Sequence, residues 1–143
     1  MPKFLIILIV SLFISMPVAA MAQDISVENA VVRANTVPGR PAALYFTMIN
    51  KADQPHVLKA ISSSVVKNIM IHESTNVDGV RRMEHRNHAV VPVGGELTFE
   101  RGAWHGMLMG TSKLKIGETI SLTFTFVDHA PLTIQAPVKG LMD

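Results

Sequence analysis

The residues able to do chemistry in this chain are mainly imidazoles and thioethers. His105 and Met107 are separated only by Gly106, and Met109 continues the same two-residue step. On a strand, alternate side chains share a face, so a nitrogen and a sulfur donor would lie within reach of one soft metal ion. Farther back, Asn76-Val77-Asp78-Gly79 is a hairpin turn signal, and His72 and Met83 flank it. Two registers are open for this hairpin. A four-residue loop pairs Thr75 with Val80 and sets His72 opposite Met83. A two-residue Asp78-Gly79 turn sets His72 opposite His85, with Met83 as its diagonal neighbour. The two pairings differ by two residues, so both keep His72, Met83 and His85 on one face. A three-residue loop with a bulge would break that parity.

His72, Met83, His105 and Met107 would together make a set of two nitrogens and two sulfurs, without carboxylate or thiolate. Imidazole plus thioether suits Cu(I). Zinc sites use cysteine, histidine and carboxylate, and calcium or magnesium needs oxygen donors. The sequence has no cysteine, which excludes a blue-copper electron-transfer centre, a disulfide framework and a lipid-modified N-terminal cysteine. A plainer reading competes. Six histidines and nine methionines create incidental pairs, and methionine commonly fills gaps in a core. The chain would then be a structural or adhesive exported sandwich with no physiological metal. Met109, one repeat farther along, and Trp104, facing the other way, are assigned to packing. His56, His88 and His129 adjoin turn signals and are assigned to the surface. Gly106 is expected to keep the backbone uncrowded between the two ligands.

These side chains need a frame to hold them. The first 22 residues read as a signal peptide: Lys3 supplies a positive start, residues 4–18 are almost wholly apolar, and Ala20-Met21-Ala22 fits a peptidase site. Cleavage after Ala22 leaves Gln23 first, and cleavage after Ala20 is the alternative. The apolar run is short for a membrane anchor, which needs roughly 20 residues. Losing Lys3 brings the formal charge of +2 closer to balance, and no Lys/Arg run suggests nucleic acid or an anionic membrane. Residues 23–143 read as one exported domain. Alternating or β-rich runs are predicted as strands at 25–33, 42–50, 56–61, 65–72, 80–86, 96–100, 119–127 and 132–138, with a short one ending near Val91 and another at 104–109. Near Ala30 the alternation changes phase, as at a bulge. Strands at short, regular spacing with turn signals between them, and no helical stripe, predict an all-β antiparallel sandwich.

At the four donors the chain resembles the periplasmic copper chaperones of the PCu(A)C family. Their signature is His, ten residues, Met, twenty-one residues, then His-x-Met, matched here by His72, Met83, His105 and Met107. The likeness extends to Val32-Arg33-Ala34, the Pro38-Gly39 loop, Ala43 to Thr47 with Asn50, His105 to Gly110, and Leu122-Thr123-Phe124. Arg101 to Ala103 and the His85/His88 pair are looser matches. The resemblance implies a cupredoxin-like Greek-key β-sandwich that binds Cu(I) near its surface and is not an enzyme. It also implies delivery of copper in the periplasm to the copper-site subunit of cytochrome c oxidase, or to another copper carrier. The chain stops at Gly140-Leu141-Met142-Asp143 without the His/Met-rich tail of some relatives, so no second tail site is expected. The protein is expected to act as a monomer.

Overall fold

The computed structural model describes residues 23–143. The signal-peptide expectation, residues 1–22, lies outside them. Among the described residues every regular element is a strand: β1 (Ile25–Ala34), β2 (Ala42–Asn50), β3 (His56–Ser62), β4 (Asn68–Val77), β5 (Val80–Arg86), β6 (Ala89–Val91), β7 (Glu96–Phe99), β8 (Trp104–Met109), β9 (Thr119–Phe126) and β10 (Leu132–Gly140). Period-two alternation explains why. In β9, Ile120, Leu122, Phe124 and Phe126 are buried, and the Ser and Thr residues between them are not. β2 repeats the pattern without a break, turning Ala42, Leu44, Phe46 and Met48 inward. Each such strand buries one face and wets the other, so a second layer has to cover it.

The strands form one hydrogen-bonded ribbon in the order β5-β4-β8-β7-β2-β1-β10-β9-β3-β6, with added pairings of β8 to β2 and β4 to β3. The β3–β4 contact, Ile61 with Ile69, folds the ribbon back on itself around a single core. This is the expected all-β, cupredoxin-like Greek-key sandwich, with two parallel contacts in an otherwise antiparallel set: β1 with β10, and β7 with β8. The first of these arises because the last strand returns beside the first, which local alternation cannot reveal. In the core Phe46 stacks on Phe99 at 4.2 Å and meets Phe124 edge-on at 4.9 Å. Such aromatic pairs add about 0.5–1.5 kcal/mol each beyond area burial.

Two local features follow the sequence closely. The phase change in β1 is a break in register between Glu28 and Val31, with Asn29 at a positive φ of 54°. Asn50, almost fully buried, donates to the carbonyls of Gln54 and Pro92 and accepts from the Ala52 amide. A buried amide side chain is tolerable only when so satisfied, and here it ties the end of β2 to the β6–β7 connection. Most strands lie within two residues of their expected bounds, and β4 departs furthest. β4 starts at Asn68 and continues to Val77, whereas the sequence suggested 65–72. Residues 73–76 are polar because this part of β4 pairs with the exposed strand β5, and their polarity hid the strand.

Candidate metal centre

Three strands, β5-β4-β8, carry the candidate donors. Val77 pairs with Val80, so the hairpin turns on Asp78 and Gly79 alone, both at positive φ (53° and 79°). That is the two-residue turn whose twist suits a hairpin, and it selects the second of the two open registers. His72 lies opposite His85, and Met83 lies opposite Ser74, two pairs nearer the turn. On the other side of β4, His72 pairs with His105 and Met70 with Met107. Opposed residues of an antiparallel pair share a face. Met70, His72, Met83, His85, His105 and Met107 therefore all project outward from the sheet. Ile71 and Leu108 point into the core from the same strands.

The outward face is graded from buried to open. His72, in the central strand of the three, is only 7% exposed, whereas Met83 on the edge strand is 55% exposed. The His72 ring centre lies 5.7 Å from that of His105 and 5.6 Å from that of His85. Burial, then the neighbouring His105 and His85, push the His72 imidazole below its ordinary pKa. It is thus kept in the neutral form a metal requires. Its Nδ1 is buried with no hydrogen-bond partner, an arrangement that a ligand ion would relieve. The Nδ1 of His105 is 3.0 Å from the Ala103 carbonyl. A carbonyl can only accept, so Nδ1 carries the proton and Nε2 presents its lone pair.

Carboxylates are kept off this face. Glu73 and Glu84 pair with each other across β4 and β5 and project to the opposite side. There the Arg86 guanidinium bridges them at 2.8 and 3.0 Å. Among the described residues no three His, Cys, Asp or Glu side chains converge as a metal site. Any ion held here therefore has to use the thioethers or a rearranged side chain, and thioether with imidazole is a donor set for soft copper. On this face a groove of about 420 Å³ lies beside Met83, lined also by Ser74, Asn76 and Arg81. A groove of about 540 Å³ runs along the other side of β5 past Arg86 and Trp104 and includes His85 alone of the candidate donors.

The structure brings His72, His105 and Met107 together in two adjacent cross-strand pairs and sets Met83 diagonally across from His72. Met70 is the face member that the sequence reading passed over. Its place two residues before His72 on the same strand was the available signal. Trp104 points away from the donors as expected and packs near Phe99, with ring centres 5.9 Å apart. Two expectations need correction. His56 is not on the surface: it is 2% exposed, and its Nδ1 lies 3.2 Å from Asp128 Oδ2. Its partner is supplied from the β9–β10 connection, far along the chain. Gly106 does not make room between the ligands. It faces inward, where a Cβ would come within 3.0 Å of Leu44 Cβ, so its lack of a side chain serves the packing of β8 on β2.

Comparisons with known proteins bear on the family and the fold. The family described as "Putative lipoprotein LpqE-like" matches residues 25–138. Among solved structures, the Cu(I) form of DR1885 from Deinococcus radiodurans is 32% identical, with a TM-score of 0.66 over 87% of this chain and 85% of that one. The copper-bound PCuAC domain from PmoF2 is 24% identical, with a TM-score of 0.69 over 82% of this chain and 93% of that one, and shares the fold. The uncharacterized protein RP573 of Rickettsia prowazekii (strain Madrid E) is 30% identical over 101 residues, 69% of this chain. The aligned region spans 56% of the length of that relative.

Proposed function

The chain belongs to the LpqE-like family, to which PCuAC domains are related, and from that membership we propose that it is a Cu(I)-binding metallochaperone of the periplasm. The observation that carries the proposal is the outward face of β5-β4-β8. His72, His105 and Met107 stand in neighbouring cross-strand pairs, with Met83 diagonal to His72, and no carboxylate shares the face. His72 and His105 supply nitrogens, and Met83 and Met107 supply the sulfurs that favour the reduced ion. A carrier has to hold its ion firmly and also release it to another protein. Burial at His72 serves holding, and the exposed Met83 at the sheet edge offers an acceptor a ligand to displace. The role is that of a carrier rather than an enzyme. Its acceptor would be the copper-site subunit of cytochrome c oxidase during assembly, or another periplasmic copper carrier.

Competition for Cu(I) against a chelator of known affinity tests the site. The wild-type protein should take up one ion, and the Met83→Ala/Met107→Ala double variant should lose on the order of a hundredfold or more in affinity. Equal affinities would sink the assignment. The compartment is tested separately by the mass of the exported mature protein, which should begin at Gln23, or at Met21 if cleavage follows Ala20. Retention of the uncleaved chain in the cytoplasm would count against the periplasmic reading.

A further inference from the structure

We infer that the groove beside Met83 is where an acidic segment of a partner protein docks, the partner being one that exchanges copper with this chain. The inference rests on the carrier reading above and adds the chemistry by which the partner is recognised. The groove, of about 420 Å³, runs along the β4–β5 hairpin and includes Gly102 of the β7–β8 connection. Arg81 and Arg82 line it, and no carboxylate does. Neither guanidinium has an ion pair or hydrogen bond among the described residues, whereas Arg86 on the same strand is bonded to Glu73 and Glu84. Asp78, the remaining carboxylate of the hairpin, sits in the turn and lines no part of the groove. Ser74, Thr75 and Asn76 add hydroxyl and amide groups to its wall. Guanidinium groups present paired N–H donors that match the two oxygens of a carboxylate, so Asp or Glu side chains of a partner supply what the groove lacks.

The place of the groove gives the second half of the argument. Met83 lies in its wall and is 55% exposed, and Val77 and Val80, the pair that closes the hairpin, are exposed to the same extent. Exposed apolar side chains gathered among arginines have the composition of a protein interface. An acidic segment held by Arg81 comes to rest against the most exposed of the candidate thioethers, where an exchanging ligand has to arrive. Contact needs no rearrangement, because residues 80–85 are already exposed. A lipid surface is served less well. Anionic membranes are held by clusters of about four to eight basic side chains, and this groove has two.

Hexaglutamate added to the metal-free, 15N-labelled protein at low ionic strength, and followed by NMR, tests the assignment. Amide resonances of residues 74–76, 81–83 and 102 should shift, and the Met83 methyl with them, while hexalysine moves none. Raising the salt to about 0.5 M should suppress the response. In Arg81→Gln/Arg82→Gln the peptide affinity should fall by about tenfold or more. Both arginines are exposed, so this variant should keep the wild-type circular dichroism and a Cu(I) affinity within about twofold of wild type. Shifts that are absent, or equal in the double variant, overturn the inference and leave the carrier reading standing. Binding of the hairpin to phosphatidylglycerol vesicles without any response to hexaglutamate overturns it in favour of a lipid surface. Peptide binding by a protein that takes up no Cu(I) overturns the carrier reading, and with it the assignment of the partner as one that exchanges copper.

Discussion

His72 is the residue on which the site depends most, since it is the cross-strand neighbour of two other histidines and the most buried donor. Its pKa is depressed by burial and by His105 and His85. In the unfolded chain the group takes up its proton near pH 6.5, before it does so in the fold. The stability contributed by neutral His72 is therefore complete above that pH. It declines as pH falls below 6.5 and reaches its full loss beneath the depressed folded value. Urea midpoints measured from about pH 7.5 to pH 5 should fall more steeply for the metal-free wild type than for His72→Asn. Parallel curves would show that protonation of His72 is not coupled to folding.

The hairpin sets which donors can meet. Asp78 and Gly79 accept left-handed backbone at the turn, and that choice decides whether Met83 or His85 sits opposite His72. Beyond the turn the face of each residue follows from counting, so a change of one residue in β5 should exchange its faces. Deleting Arg82, an exposed residue between the turn and Met83, should direct Met83 and His85 to the Glu73 side. The expected result is loss of Cu(I) affinity comparable to that of the Met83→Ala/Met107→Ala double variant. The sandwich itself should survive, since β5 is an edge strand whose residues are nearly all exposed. Full Cu(I) affinity in a folded deletion variant would show that facing does not control the site. The strands of the sandwich were legible because alternation is strong where one face is buried, as in β2 and β9. The outer half of β4 was not, because exposed pairing with β5 leaves it polar.

Over the whole molecule the donors are brought together by long-range pairing. β4 and β8 are separated in sequence by β5, β6 and β7, yet pair over six consecutive positions from Asn68–Met109 to Glu73–Trp104. The candidate site is thus assembled only in the folded state, and an ion that binds it should stabilise the fold. At free Cu(I) about a hundredfold above the dissociation constant the gain is about 2.7 kcal/mol. Scanning calorimetry under reducing conditions should show a rise of several degrees in the melting temperature, and a peptide of residues 101–109 should bind Cu(I) far more weakly than the protein. An unchanged melting temperature would favour a sandwich whose histidines and methionines are incidental.

Strand alternation, the absence of cysteine, and the intervals between His72, Met83, His105 and Met107 are properties of the sequence alone. They were sufficient for the fold class and for naming candidate donors, because the period of a strand is local and donor chemistry belongs to the side chain. Tertiary structure decided the rest. It placed His85 rather than Met83 directly opposite His72, set Met70 beside Met107, turned Gly106 toward Leu44 and buried His56 against Asp128. Each of these depends on which distant strand or loop lies alongside, and that is set by turn geometry and by burial of the common core rather than by any local period.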